Sequence, residues 1–595
     1  MLKDELNPEI TQLDFIDFDR EFGAFLLRFT GKDLPEVAIT GMLAAYELRS
    51  GNPVLELSKY AGKTIVFEAD KTITLPSVSK WMELLFQTGT ASFPADALRT
   101  PLLFTGETTL MLHRYAGYAD NLRLKLYTMR SITSKLQLPE KLDDSLDKIQ
   151  KLAVFVGLNS RLLILSGGPG TGKTTVCGHI IRELLEKNSN MQILFAAPTG
   201  KAQQNLAGQI RDIGKMLPES SPAFQALQKV KGATLHSFVL NPQWRSELER
   251  CDLFIVDECS MISLEMFSKL LDLLPASASL ILAGDRRQLA SIDSGSVFAD
   301  ICSHGKVNQL PEKMAEFFHN HTGISVEQCE SNKDFSGYIV ELQKNFRSAQ
   351  APNICRIAGL LRDGSMEDET LAPFIAGTNK ADFKFREIAE TELDAALRKR
   401  CANLKRLPKL CSSGDITQIM QALQIVDQTK FICTVNRGDR GTAAINDWIL
   451  RELDIIPQFH GKWVPGTVLL VTANDRHSGL RNGDIGIVTL EKRSREPDMQ
   501  RCVRFSSCPE KRFLLPDLPT HECGFAISVH RAQGSGYKEV TFLLPGYDSK
   551  VLTRELLYTG ITRAAASIEI WGNNSELLFA LSNRAERSSN LFQTT

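Results

Sequence analysis

The sequence predicts an α/β protein built on parallel sheets. Short, continuous apolar runs recur between stretches of helical periodicity, and each run ends in a polar or Gly-rich turn. Strands buried on both faces read in this way when helices cover the sheet. The length of 595 residues supplies several such cores. Hydrophobic content of 43% and charged content of 23% are ordinary for a globular chain. No apolar run approaches the ~20 residues that would span a membrane. The start, Met1-Leu2-Lys3-Asp4-Glu5-Leu6, lacks a charged-then-apolar signal pattern, so a cytoplasmic location is expected. The net charge is −1, with −5 in residues 1–100, so phosphate contacts are expected beyond the first hundred residues. Twelve cysteines contain no C-x-x-C pair and read as reduced thiols. Cys502, Cys508 and Cys523 near His521 are the one metal-like alternative.

Residues 1–110 carry no chemical motif. Phe22–Phe29 and Met42–Leu48 read as helices, so a mainly helical N-terminal domain is expected. Its acidic balance and apolar stretches suggest docking to a protein partner. A first α/β unit over 111–340 contains the apolar runs Leu162–Leu165, Ile193–Ala197, Leu253–Val256 and Leu280–Ala283. A second, over 341–595, contains Phe431–Val435, Phe525–Val529, Val540–Leu544 and Ile568–Trp571. Inside it, Val468–Val471 and Ile485–Leu490 flank the turn Asn482-Gly483-Asp484, which predicts a small β insertion at about 455–520.

Gly167-Gly168-Pro169-Gly170-Thr171-Gly172-Lys173-Thr174, followed by Thr175, matches the phosphate-binding loop. An apolar strand precedes it, and Val176, Ile180, Ile181, Leu184 and Leu185 form a helical stripe after it. That context separates it from a chance Gly-rich turn. The loop's backbone N–H groups would wrap phosphates at the helix N-terminus, with Lys173 on the β/γ-phosphates and Thr174 on Mg²⁺. Asp257 and Glu258 end the strand Leu253–Val256, where carboxylates meet a metal and polarise water. The alternative is an ordinary acidic helix start. Gln288 follows Leu280–Ala283 and could bond both γ-phosphate and water. Arg347 and Arg563 are candidates for stabilising charge on the transferred phosphoryl group. Any single arginine is more often a surface or ion-pair residue.

Taken in order, these segments resemble superfamily 1 DNA helicases. Ala197-Pro198-Thr199-Gly200-Lys201-Ala202 resembles the first DNA-contact motif. Asp257-Glu258 and Gly284-Asp285-Arg286-Arg287-Gln288-Leu289 resemble the next ATPase motifs. Val529-His530-Arg531-Ala532-Gln533-Gly534-Ser535 and Tyr558-Thr559-Gly560-Ile561-Thr562-Arg563 resemble those of a second lobe. Within the superfamily the chain resembles the RecD family, the alpha subunits of RecBCD enzymes (exodeoxyribonuclease V). The signals are Ala233-Thr234-Leu235-His236, the segment Gln288–Gly295, the segment Arg437–Asn446 and Thr553-Arg554-Glu555-Leu556-Leu557-Tyr558.

The resemblance implies two RecA-like P-loop NTPase lobes with ATP and Mg²⁺ between them and an SH3-like insertion. It implies ATP-dependent 5′→3′ motion on single-stranded DNA. It gives Gln150 an adenine-reading role, and makes Thr199, Lys201, Thr234, His236, His530 and Ser535 strand contacts. It implies a heterotrimer with RecB-like and RecC-like subunits acting at duplex DNA ends in recombinational repair. No nuclease carboxylate cluster accompanies the ATPase motifs, so DNA cutting is expected from another subunit. The rival reading is a stand-alone RecD-like helicase, which carries a longer N-terminal region than the stretch preceding this P-loop. A non-enzymatic clamp with a dead site is disfavoured by the intact motif residues. A hairpin or loop inserted near 205–235 could act as a strand-separating pin. Four residues at three sites depart from the family: Arg531-Ala532 for Lys-Ser, Phe346 for Tyr and Gly560 for Ala. Altered DNA contact, not lost ATPase, is expected from the first.

Overall fold

The computed structural model describes residues 10–592 except 69–70, 95–98, 140–141, 216, 292–293, 331–333, 347–349, 365, 456–462, 476, 493–498, 548 and 585–588. The N-terminal unit runs β1 (Ile10–Gln12), α1 (Asp17–Thr30), α2 (Pro35–Arg49), β2 (Val54–Glu56), β3 (Thr64–Glu68), β4 (Lys71–Thr74), α3 (Val78–Gln87), β5 (Ala91–Ser92), β6 (Leu102–Phe104) and β7 (Thr109–Leu112). Its strands form two small sheets, β1-β3-β4 and β2-β7-β6-β5. The unit is therefore mixed α and β, not mainly helical as expected. Its strands are too short for a period-2 pattern to stand out. Leu26, Leu43, Leu57, Ile65, Trp81 and Phe104 form a core of its own. The buried Trp81 indole donates to Thr40 Oγ1 at 2.8 Å, which removes the cost of hiding it. Strand β7 carries this unit two residues past the expected boundary at 110.

The first lobe follows: α4 (His113–Thr128), α5 (Lys148–Asn159), β8 (Leu162–Gly167), α6 (Lys173–Lys187), β9 (Ile193–Ala197), α7 (Gly200–Gly214), α8 (Pro222–Leu227), β10 (Lys231–Thr234), α9 (Leu235–Leu240), β11 (Leu253–Val256), β12 (Ser279–Gly284), β13 (Gln309–Pro311), β14 (Glu327–Cys329) and β15 (Ile339–Leu342). Six strands form a parallel sheet in the order β10-β9-β11-β12-β8-β15. Leu162 and Ile164 of β8 enter the core on one face, and Leu163 and Leu165 enter the core on the other. This two-sided burial is why these strands read as unbroken apolar runs. Strand β15 pairs with β8, so the lobe extends to Leu342. Residues 205–235 form helices α7 and α8 and the single strand β10, not a hairpin, among the described residues.

The second lobe holds β16 (Phe383–Glu387) and β17 (Thr429–Cys433). The insertion follows, with β18 (Val468–Val471), β19 (Ile485–Lys492), β20 (Met499–Phe505), β21 (Cys508–Leu514) and β22 (His521–Cys523). The chain then returns to the lobe with β23 (Ala526–Ser528), β24 (Tyr537–Leu543) and β25 (Ala564–Gly572). The lobe sheet is parallel, in the order β16-β25-β24-β17-β23. The insertion is a five-stranded antiparallel sheet, β21-β20-β19-β18-β22, with a small core of Leu469, Val488, Val503 and Phe505. Gly560 is explained by packing: a Cβ there would lie 2.5 Å from the Phe542 ring.

After the second lobe, Ser589–Phe592 crosses back to the first. Ser589 N and Oγ donate to Asp300 Oδ2 at 2.7 and 2.6 Å. Asn590 Nδ2 donates to Thr105 O at 2.8 Å and to Thr109 Oγ1 at 3.2 Å, in the N-terminal unit. The Phe592 ring stacks on His304 with centroids 4.0 Å apart. This segment closes the seam between the N-terminal unit and the first lobe.

Candidate nucleotide site and strand contacts

A cleft of about 620 Å³ opens between the lobes at the carboxyl ends of β8 and β11. Gly168, Pro169, Gly170, Gly172, Lys173, Thr174 and Thr175 line it from the phosphate loop. Gly170 and Gly172 adopt φ of 80° and 88°, a conformation that side chains disfavour and that turns the loop's amides inward. Gly167 and Thr171 lie behind this lining. Thr171 Oγ1 donates to Gly168 O at 2.8 Å, and a Cβ on Gly167 would crowd that hydroxyl. Lys173 Nζ donates to Gly167 O at 2.6 Å, so its ammonium folds onto the loop it serves.

Asp257 and Glu258 face Lys173 and Thr174 across the cleft. Burial and the neighbouring Glu258 carboxylate push the Asp257 carboxyl up to about 6, against the pull of Lys173. A divalent cation between Asp257 and Thr174 would reverse that balance, so this pair suits a metal. Glu258 sits at φ 52°, a left-handed conformation rarely held by a side-chain-bearing residue. Gln288 is buried; its Nε2 donates to Asp285 Oδ2 at 3.3 Å, while its Oε1 has no hydrogen-bond partner among the described residues. An unmet buried acceptor costs about 1–3 kcal/mol, so the fold holds Gln288 ready for a donor that enters the cleft. Gln150 packs under the loop: Nε2 donates to Thr171 O at 3.1 Å, and Oε1 accepts from Asp147 N at 3.0 Å.

The second lobe supplies Gly534, Ser535, Gly536 and Arg563 to the same cleft. Arg563 is buried and donates to Thr559 O at 3.1 Å and to Ser535 O at 3.2 Å. Arg347 lies outside the described residues. A contact that sequence reading missed joins the lobes: Tyr558 Oη donates to Asp285 Oδ2 at 2.8 Å. Burial and the Asp285 carboxylate hold that phenol well above the ordinary tyrosine range. Beside it, Leu289 N donates to Thr559 Oγ1 at 3.0 Å, and Gln533 Nε2 donates to Leu289 O at 3.2 Å. Residues flanking the ATPase motifs of the two lobes thus bond directly to one another.

The expected strand contacts fall in three places. Thr234 ends β10, Thr199 lies two residues past the end of the adjacent strand β9, and His236 is exposed on α9. Thr199 Oγ1 caps α7 by accepting from Ala202 N at 3.2 Å, and Arg481 of the insertion donates to Gly200 O at 3.1 Å. Lys201 turns toward the lobe junction, its ammonium 5.1 Å from the Tyr537 ring centre. His530 lies in a separate cleft. Ser535 lines the nucleotide cleft, next to Gly534, where an added Cβ would lie 3.2 Å from Thr199 Oγ1. Arg531 is exposed and pairs with Glu522, while Ala532 is buried.

Lys430, in β17, flanks the same Tyr537 ring at 5.6 Å and donates to Gly524 O at 2.9 Å. Burial pushes its ammonium down to about 7. An unfolded chain keeps that proton to about pH 10, so unfolding takes up a proton between about pH 7 and 10. Folded stability relative to Lys430→Met should therefore rise through this window, by up to about 1.4 kcal/mol per pH unit. Melting curves of both proteins at pH 6 and pH 9 check this. A pH-independent gap would contradict it.

The match to known families follows this geometry. A model described as "AAA domain" matches residues 145–316, and one described as "UvrD-like helicase C-terminal domain" matches residues 524–568. The RecBCD enzyme subunit RecD of Mycolicibacterium smegmatis is 30% identical over 460 residues, covering 74% of this chain and 74% of that protein. This chain belongs to the RecD family. Another RecD, from Mycobacterium tuberculosis, is 27% identical over 587 residues, covering 95% of this chain and 92% of its own length. The ATP-dependent RecD2 DNA helicase of Deinococcus radiodurans is 23% identical over 429 residues, covering 72% of this chain but 49% of its own length. As a RecD-family protein the chain is an ATP-dependent DNA helicase. Among the described residues no helix is long and apolar enough to cross a membrane.

Proposed function

We propose that this RecD-family chain is the 5′→3′ motor subunit of a RecBCD-type helicase–nuclease acting at duplex DNA ends, in the bacterial cytoplasm. The observation that carries this reading is a likeness reaching 92% of a RecD but 49% of the RecD2 helicase. The three-unit organisation, at about 1–110, 111–340 and 341–595 with an SH3-like insertion, belongs to this reading.

ATP binds in the interlobe cleft, its phosphates on the loop 167–174 and its adenine beside Gln150. Thr174 and Asp257 would hold Mg²⁺, which when bound neutralises charge on the β- and γ-phosphate oxygens. Lys173 orients the γ-phosphate, Glu258 polarises the attacking water, and Gln288 bonds it. Arg563 and Arg347 stabilise the charge that builds on the equatorial oxygens. Contributions from both lobes make ATP a clamp, and hydrolysis releases it. Thr199, Lys201, Thr234, His236, His530 and Ser535 follow the strand. Ser535 O already bonds Arg563, so its contact couples strand to nucleotide.

The N-terminal unit docks a RecC-like partner, and a RecB-like subunit supplies the nuclease. Phe18, Phe22, Phe25 and Phe29 recur at helical spacing on α1, and Phe18 is 61% exposed. Phe22 and Phe25 stack at 5.8 Å. A contiguous exposed aromatic stripe marks an interface. Deleting 1–110 would also remove the Asn590 bonds to Thr105 and Thr109, so point variants are cleaner. Phe18→Glu with Phe29→Glu should abolish co-purification of partner subunits from the native cell and leave DNA-stimulated ATPase intact. Undiminished association would sink the docking assignment. Recovery of the wild-type chain with no partner subunits would favour the stand-alone helicase.

A further inference from the structure

A second cleft, of about 580 Å³, lies where all three units meet. The N-terminal unit contributes Lys59 and Lys63, and the second lobe contributes His530, Lys550 and Arg584. Among the described residues that line it there is one carboxylate, Glu47, and it is already engaged. It accepts from Lys59 Nζ at 3.2 Å, from Asn52 Nδ2 at 3.2 Å and from the Tyr60 hydroxyl. Over the described lining residues, with His530 counted as neutral, basic side chains outnumber acidic ones by three. This runs against the charge of residues 1–100, which sum to −5. The unit is acidic overall yet turns basic side chains toward this cleft, a local arrangement suited to a polyanion.

The cleft also shares two segments with the nucleotide cleft. Leu289 and Ala290 line it, while the adjacent Gln288 lines the nucleotide cleft. His530 lines it, while Ser535, five residues on, lines the nucleotide cleft. Two short segments therefore each have one end in either cleft. A ligand held here would touch the two segments that also border the nucleotide cleft.

We propose that the N-terminal unit forms one wall of the DNA path. Lys59 and Lys63 hold phosphates of the single strand as it passes His530, opposite Lys550 and Arg584. The proposal rests on His530 being a strand contact and extends the path onto a unit otherwise assigned to protein docking.

The test is binding of labelled oligothymidylate by the full chain, from 50 to 300 mM salt. Each phosphate contact on a single strand contributes about 0.7 to the slope of log affinity against log salt. Lys59→Gln with Lys63→Gln should lower that slope by roughly 0.7–1.4 and weaken binding. Lys80→Gln, on the exposed face of α3 outside the cleft, should leave both at wild-type values. As a mutation-free check, oligonucleotides carrying 5-iodouracil should crosslink within residues 46–63. Wild-type slope and affinity in the double variant, or crosslinks confined to the two lobes, overturn the proposal. If the wild-type chain itself fails to bind, the strand-contact reading falls first, so the two failures are distinguishable.

Discussion

Replacing Lys173 with glutamine is expected to abolish ATP hydrolysis, with a loss of about 10³-fold or more in turnover. Among the described residues its ammonium is the one lysine charge lining the nucleotide cleft, and it rests 2.6 Å from Gly167 O at the mouth of the loop. Phosphoryl transfer leaves little covalent work to the protein, so positioning and charge carry most of the rate. Glutamine preserves much of the reach and removes the charge. The fold should survive, because the side chain bonds loop carbonyls and does not enter a core. DNA-stimulated phosphate release measures the loss, and co-purification of partner subunits checks that assembly is spared. Retained stimulated hydrolysis would overturn the site assignment.

Replacing Arg563 with alanine should cost turnover by about 10³-fold or more while leaving nucleotide binding within a few-fold of wild type. An arginine reaching across a cleft acts on charge that exists only in the transition state, so ground-state affinity is little changed. In this structure its guanidinium is held on Thr559 O and Ser535 O inside the second lobe. The proposed role requires it to exchange those carbonyls for phosphate oxygens. Arg563→Lys should not restore the rate, because one ammonium cannot bridge two oxygens in a fixed plane. A fluorescent nucleotide analogue reports binding, and single-turnover hydrolysis reports the chemistry. A variant that loses binding and turnover in equal measure would show a structural role for the arginine.

Much of the motor was legible from local pattern. Strands β9, β11 and β18 begin and end where their apolar runs do, because burial on both faces leaves no polar position to blur the edges. Strand β16 was not legible: in Phe383–Glu387 only Phe383 is buried, so no run stands out. Strand β10, Lys231–Thr234, lies at a sheet edge and contains little apolar character. The nucleotide loop is visible because its chemistry is contiguous. The Tyr558–Asp285 bond is not, because its partners are 273 residues apart and neither type is unusual alone. The basic cleft was hidden for a related reason. Summed charge along residues 1–100 is acidic, and only folding sorts Lys59 and Lys63 to one side.

The Ser589–Phe592 segment has a consequence for how the protein is made. Asn590 bonds Thr109 across 481 residues of intervening chain. At about 5–20 residues per second, a ribosome needs roughly half a minute to a minute and a half to cover that distance. Through that interval the N-terminal unit has its own core but an unsealed face toward the first lobe. Its finished attachment is therefore a late event in biosynthesis, even though its residues emerge first.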